Sequence, residues 1–176
     1  MGAYLAPSLV VLRNEINRAH PNRDKSSDGW IGDAAHAARK SDHNPDPLPN
    51  GVVRALDVDK DGMDKEELRR VVISDPRTEY FIQDWKIYRR ATSFRAEKYT
   101  GPNGHTGHGH VSVRHGTQWE NDTRPWGYGQ GGSPSPPPSS GGGKPLDQIV
   151  DEVVSGHWGN GQDRKQRLTL PGYNYE

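Results

Sequence analysis

The feature that most constrains this chain is a break in composition, where residues 130–143 read Gln-Gly-Gly-Ser-Pro-Ser-Pro-Pro-Pro-Ser-Ser-Gly-Gly-Gly. Nothing in that run can be buried. Its Gly and Ser keep it flexible and its Pro run keeps it extended, so it reads as a linker that no core can cross. The 176 residues therefore divide into a domain at 1–129, the linker at 130–143 and a short segment at 144–176. The first piece suits one ordinary domain, because a single core takes ~100–150 residues. The last lies below the ~40 residues at which unaided folding becomes plausible, so it needs a partner, a ligand or a further piece.

Composition removes several function classes. Acidic and basic residues balance at 23 each, which leaves no excess positive charge for a nucleic-acid backbone or an anionic membrane. The expected partners include neither. There is no cysteine, so disulfides, thiolate metal sites and thiol catalysis are excluded. Mean hydropathy is low at −1.01, but five Trp, seven Tyr and short Val/Ile/Leu runs supply a modest core. No segment approaches transmembrane length, and the first residues lack the basic-then-apolar pattern of a signal peptide.

Within the first piece, Leu9, Val10, Leu12 and Ile16 recur at helical spacing between Pro7 and Pro21, which predicts an opening amphipathic helix over Pro7–Ala19. The stretch to Asn50 is rich in turn formers and reads as loop, with a short helix around Asp33–Arg39. Val52–Val58 is strand-like, and Asp64–Ile73 reads as a helix with Asp64 and Glu67 at capping-box spacing. Glu79–Gln83 and Lys86–Arg90 form a hairpin pair, and Gly109–Val113 a further strand. Helix then strands predicts an α+β domain.

Three of the eight histidines lie in the run His105-Thr-Gly-His108-Gly-His110. Side chains two apart on a strand share a face, so His108, His110 and Ser112 point one way while Val111 and Val113 point the other. The same alternation delivers Asp57 at the end of its strand. Imidazole and carboxylate suit Zn²⁺, and a hydrolytic zinc site uses three protein ligands with a fourth position open. His43, Asp57 and one late histidine meet that requirement; spacing alone equally allows a solvated Gly/His-rich loop. The carboxylates of Asp57-Val-Asp59-Lys-Asp61-Gly62 imitate the start of a calcium loop, but the twelfth position is Leu68, where that loop needs Glu.

Ser41-Asp-His43, Gly51 and Ala55-Leu-Asp57, followed by His108-Gly-His110, resemble the signature of the D-Ala-D-Ala peptidase and hedgehog-type zinc peptidases. The wording from Ile31-Gly-Asp-Ala-Ala-His to Ala55-Leu-Asp-Val is similar to phage endolysin peptidase domains. The resemblance implies a hedgehog/DD-peptidase-like fold with His43, Asp57 and His110 as zinc ligands. It departs in two places. The spacing between the first His and the Asp is lengthened by Asn44–Asn50, and Gly107 stands where many members carry an acidic general base three residues before the last histidine. A subset of cell-wall endopeptidases carries a His-x-x-His-x-His run instead, which His105, His108 and His110 reproduce. His108 or His105 then becomes the proton carrier, His108 favoured because it shares the face of His110. A carboxylate such as Asp59 or Asp42 is the alternative. His36 reads as a surface residue or a substrate contact.

In the last piece Leu146, Ile149, Val150, Val153 and Val154 follow helical spacing, and a second, basic helix precedes Pro171-Gly-Tyr-Asn-Tyr. Leu146 to Gly161, with Arg164, Arg167-Leu and Gly172-Tyr-Asn-Tyr, resembles the three-helix cell-wall-binding repeat of some phage lysozymes. The family repeat has a third helix, so this small helical C-terminal segment is expected to be truncated, with self-association as one way to complete it. The resemblance implies that Trp158 and Tyr173 stack on sugar faces while Arg164 or Arg167 meets a peptide carboxylate; Trp158 as mere hairpin core is the alternative.

Together these readings predict a zinc-dependent endolysin whose partner is bacterial peptidoglycan, made in the host cytoplasm without a signal peptide and acting on the wall after release. The alternative is a catalytically silent zinc and cell-wall-binding module. A His/Asn nuclease lacks the basic stripe it needs, and a free-standing carboxypeptidase of wall synthesis has no use for a wall-binding tail.

Overall fold

The computed structural model describes residues 2–33 and 40–130. The helix expected around Asp33–Arg39, the linker beyond Gln130 and the C-terminal segment lie outside the described residues, and so do His36, Trp158, Arg164 and Tyr173.

The described fold is an antiparallel sheet with helices on one face, a mixture compatible with the α+β expectation. After a short strand β1 (Tyr4–Leu5) comes α1 (Pro7–Ala19), begun by Pro7 in the first turn. Leu9, Leu12 and Ile16 are fully buried along one stripe, and Val10 is only partly covered. The single strand expected over Val52–Val58 is two strands. β2 (Val52–Val53) pairs in parallel with β1, and β3 (Ala55–Asp59) joins the main sheet. The break falls at Arg54, a buried residue whose side chain leaves the apolar alternation to bind carboxylates.

α2 (Lys65–Ser74) follows, with the Asp64 carboxylate accepting the N–H groups of Glu66 and Glu67 at 2.9 Å each. Only this half of the expected capping box is made, because Glu67 instead accepts the Gly129 N–H at 3.0 Å and ties the end of the domain to α2. β4 (Thr78–Gln83) and β5 (Lys86–Arg89) form a hairpin through Asp84 and Trp85, both at positive φ as a two-residue turn of the twisted-ribbon type requires. β6 (Ala96–Lys98) extends the edge, β7 (His108–Val113) runs through the sheet, and one turn of helix, α3 (Thr117–Glu120), follows.

The strand order is β3-β7-β4-β5-β6, all antiparallel. The faces of this sheet are unlike. Leu56, Val58, Phe81, Val111 and Val113 turn towards α1 and α2 and join Leu9, Leu12, Ile16, Leu68 and Val72 in one core. Trp126 closes that core: its indole N–H donates to the Ser8 carbonyl at 2.8 Å, the Arg77 guanidinium lies 4.1 Å over its ring, and its backbone N–H reaches the buried Glu15 carboxylate at 3.0 Å. The opposite face carries the polar side chains.

Gly109 separates the two histidines of β7 on the core side. A Cβ there would stand 3.0 Å from Phe81 Cε2 and 3.1 Å from Leu68 Cδ2. The Gly between His108 and His110 is therefore what lets the core close under the site. Replacing Gly109 with Val is expected to destabilise the fold by about 1–3 kcal/mol through overpacking, read as a lower urea midpoint at unchanged slope. An unmoved midpoint would mean that Leu68 and Phe81 yield freely.

Candidate metal centre

The register of β3 against β7 sets Asp57 opposite His110 and Asp59 opposite His108. Directly opposed residues on one sheet face have Cβ atoms ~4.5–5.5 Å apart, so carboxylate and imidazole meet without any loop to guide them. His110 Nδ1 lies 2.9 Å from Asp57 Oδ1. His43 arrives from the loop before β2, with its Nε2 3.2 Å from Asp57 Oδ2 and 3.1 Å from His110 Nδ1.

That loop is held where it must be. Gly29 and Asp57 pair through their backbones at 3.2 and 2.6 Å on the outer edge of β3, which brings the Trp30 carbonyl to His43. His43 Nδ1 lies 3.1 Å from that oxygen. A carbonyl can only accept, so Nδ1 carries a proton, and Nε2 is the nitrogen that faces the centre. The Gly32 N–H donates to the His43 carbonyl at 2.9 Å. The inserted Asn44–Asn50 stretch is pinned by Arg54, which grips both oxygens of Asp46 and donates from Nε to Glu120 at 2.5 Å. On the other side, the His110 ring stacks on Tyr80 with centroids 5.4 Å apart, and its Nε2 is 3.4 Å from the Tyr80 hydroxyl.

Two nitrogens and the two oxygens of one carboxylate thus converge, with spacings of 2.9–3.2 Å. Around Zn²⁺ with ligand bonds of ~2.0–2.1 Å, tetrahedral neighbours stand about 3.3 Å apart, so His43, Asp57 and His110 fit one cation. They form a group able to hold a metal ion. Burial opposes ionisation of Asp57, but hydrogen bonds from His110 and His43 and their charge hold its carboxyl well below the usual range. Burial likewise works against a charged His43, and the Asp57 hydrogen bond and charge outweigh it and raise its pKa. A bound cation would take over the positive charge that these protons supply.

The three residues line a cavity of about 330 Å³, which His105 and His108 also face. The ring centroid of His105 is 4.9 Å from that of His108 and 5.4 Å from that of His110. Burial and the neighbouring His110 and His108 push the His105 imidazole down to about 4, and burial also lowers His108. Neither alternative carboxylate faces this space. Asp59 is buried and accepts from Ser27 N at 3.0 Å, Ser27 Oγ at 2.5 Å and Asp61 N at 2.9 Å, while Asp42 accepts from Ser112 Oγ at 2.5 Å. Asp57 is the only carboxylate among the described lining residues. Reading the sequence missed Lys40, Tyr80 and Tyr99, all in this lining. Tyr80 alternates with Ile82 on a strand that was legible, but nothing in the sequence says that this strand lies beside β7.

Residues 147–176 match the CW_7 repeat, which fits a cell-wall-binding segment and is consistent with binding to bacterial peptidoglycan. No curated protein and no solved structure matches the chain. None of the described helices is long and apolar enough to cross a membrane.

Replacing His43 or Asp57 with Ala removes one of three candidate donors and is expected to lower the tightly held zinc, measured by elemental analysis after exhaustive dialysis, from the one equivalent this centre would retain to well below half. Full zinc occupancy in either variant would remove that residue from the centre.

Proposed function

We propose that the chain is a zinc-dependent peptidase of bacterial peptidoglycan, an endolysin that acts on the wall after release from the host cytoplasm and is held there by its C-terminal repeat. The observation that carries this reading is the convergence of His43, Asp57 and His110 at the wall of an open cavity that two further imidazoles share. The CW_7 match supports the choice of substrate.

Zinc held by His43 Nε2, His110 Nδ1 and Asp57 would supply Lewis acidity, polarising a scissile carbonyl and making water at the site acidic near neutral pH. The rest is done by the chain's own side chains. His108, on the sheet face of His110 and with Nε2 3.8 Å from Asp57 Oδ1, takes the proton from the attacking water and returns it to the leaving amine. His105 packs against it from the loop and is the other candidate for that transfer. Trp30 and Tyr80 fix the two ligand rings, so the geometry is set before substrate arrives. Lys40 supplies a positive charge in the lining, suited to a substrate carboxylate, which wall peptides carry.

One observation favours a second reading, a catalytically silent zinc and wall-binding module: Gly107 stands at the position of the usual acidic base, and Asp42 and Asp59 are committed elsewhere. Incubating zinc-loaded protein with peptidoglycan, with and without chelator, and analysing the soluble products by mass spectrometry separates the two. Chelator-sensitive release of new amino termini is expected, and the products name the bond; an intact wall with one zinc bound per chain would select the silent module.

A flexible tether raises the effective concentration of a domain at an insoluble substrate. Deleting residues 144–176 is therefore expected to reduce sedimentation with purified walls at least tenfold while leaving turnover of soluble muropeptides within twofold. Equal sedimentation of both forms would show the repeat to be inert.

A further inference from the structure

We propose that the cavity contains a second divalent-cation site, formed by His105, His108 and Asp57, with Asp57 shared between it and the centre at His43 and His110. These three side chains each present a donor atom, all within 4.8 Å of one another. His108 Nε2 stands 3.8 Å from Asp57 Oδ1. That is too long for a hydrogen bond and only slightly wider than the roughly 3.3–3.6 Å between tetrahedral ligands with bonds of ~2.0–2.2 Å, so a small turn of the His108 ring would close the pair on one cation.

A second observation points to a ligand. His105 is nine-tenths buried, and its Nδ1 is enclosed without a hydrogen-bond partner among the described residues. An unsatisfied buried nitrogen costs about 1–3 kcal/mol, and polar groups left so in native folds call for an explanation. The backbone holds the ring there firmly. His105 sits in the left-handed region at φ 52°, its N–H donates to Asn103 Oδ1 at 3.0 Å, and its carbonyl accepts the Asp84 N–H at 3.2 Å. The next hydrogen bond, Trp85 N–H to the Gly104 carbonyl at 2.8 Å, fastens the same loop to the β4–β5 turn.

Two imidazoles and a carboxylate select borderline cations such as zinc over magnesium or calcium, and a carboxylate with two oxygens can bridge cations ~3.5–4 Å apart. The second site is the weaker one, because its donors are more widely spread than the 2.9–3.2 Å of the first. It also has a consequence that rests on the peptidase reading: His105 and His108 cannot carry a proton while they hold a cation, so filling this site blocks turnover.

The test is equilibrium dialysis of the full chain against increasing zinc, with zinc per chain measured by mass spectrometry. Two equivalents are expected, the second binding at least tenfold more weakly. His105→Asn, chosen because Asn tolerates the left-handed backbone, and His108→Ala should each abolish the second equivalent and keep the first, whose retention reports an intact fold. A single equivalent in the wild-type chain, or a second that survives both substitutions, would overturn the second site and leave the first. No bound zinc at all would overturn both. Activity on walls should fall at least tenfold as the second equivalent fills; full activity with both bound would overturn the proton-carrying role of the pair while leaving the site itself standing.

Discussion

The antiparallel register between β3 and β7 is the constraint on which the rest of this molecule depends. With Asp57 opposite His110, the carboxylate and the imidazole meet on one face, while Leu56, Val58 and Val111 go to the core on the other. A slip of one residue would carry the valines into the cavity and the histidines into the apolar layer, so the hydrophobic core and the polar site enforce the same alignment. Gly109 belongs to the same arrangement, since Leu68 and Phe81 close over the place its side chain would take.

The register supplies only two of the three donors. His43 comes from a loop and needs a position fixed by other means. The Gly29–Asp57 backbone pair brings the Trp30 carbonyl to its ring, and Arg54 clamps the residues that follow it through Asp46 and Glu120. Arg54 is buried at the break between β2 and β3, so the residue that ends one strand also secures the loop that the other strand needs. A buried guanidinium facing two carboxylates is an expensive arrangement unless its hydrogen bonds are met. Here they are met by the very elements that must be joined.

Much of this was legible in the sequence, and the limits are physical. The bounds of α1 could be read because Pro7 and a helical stripe of Leu9, Leu12 and Ile16 are local signals, and the shared face of His108 and His110 follows from strand alternation alone. What failed to show was decided at long range. Arg54 looked like one residue of a continuous strand, because only its partners Asp46 and Glu120 reveal why the strand breaks. Glu67 looked like a capping-box member, because nothing local says that the Gly129 N–H competes for it. The sequence also gave no sign that Asp42 and Asp59 are occupied by Ser112 and Ser27, or that His105 adopts a left-handed backbone. The grouping of His43 with Asp57 and His110 came from resemblance; the backbone pairing through Gly29 supplies its physical reason.

The site also bears on how a chain of balanced charge tolerates a carboxylate in a half-buried place. Asp57 is held ionised by the two imidazoles against it, and each imidazole has its outer nitrogen near a carbonyl or a hydroxyl. A cation bound here would therefore meet an ionised carboxylate and take the place of the hydrogen bonds that the imidazoles make to it. His105 differs from this pattern. Its neighbours are imidazoles and a tyrosine ring, its burial disfavours the charged form, and its Nδ1 has no partner among the described residues. One half of the cavity is thus satisfied by its own side chains, while the other half holds a buried imidazole nitrogen that no described residue satisfies.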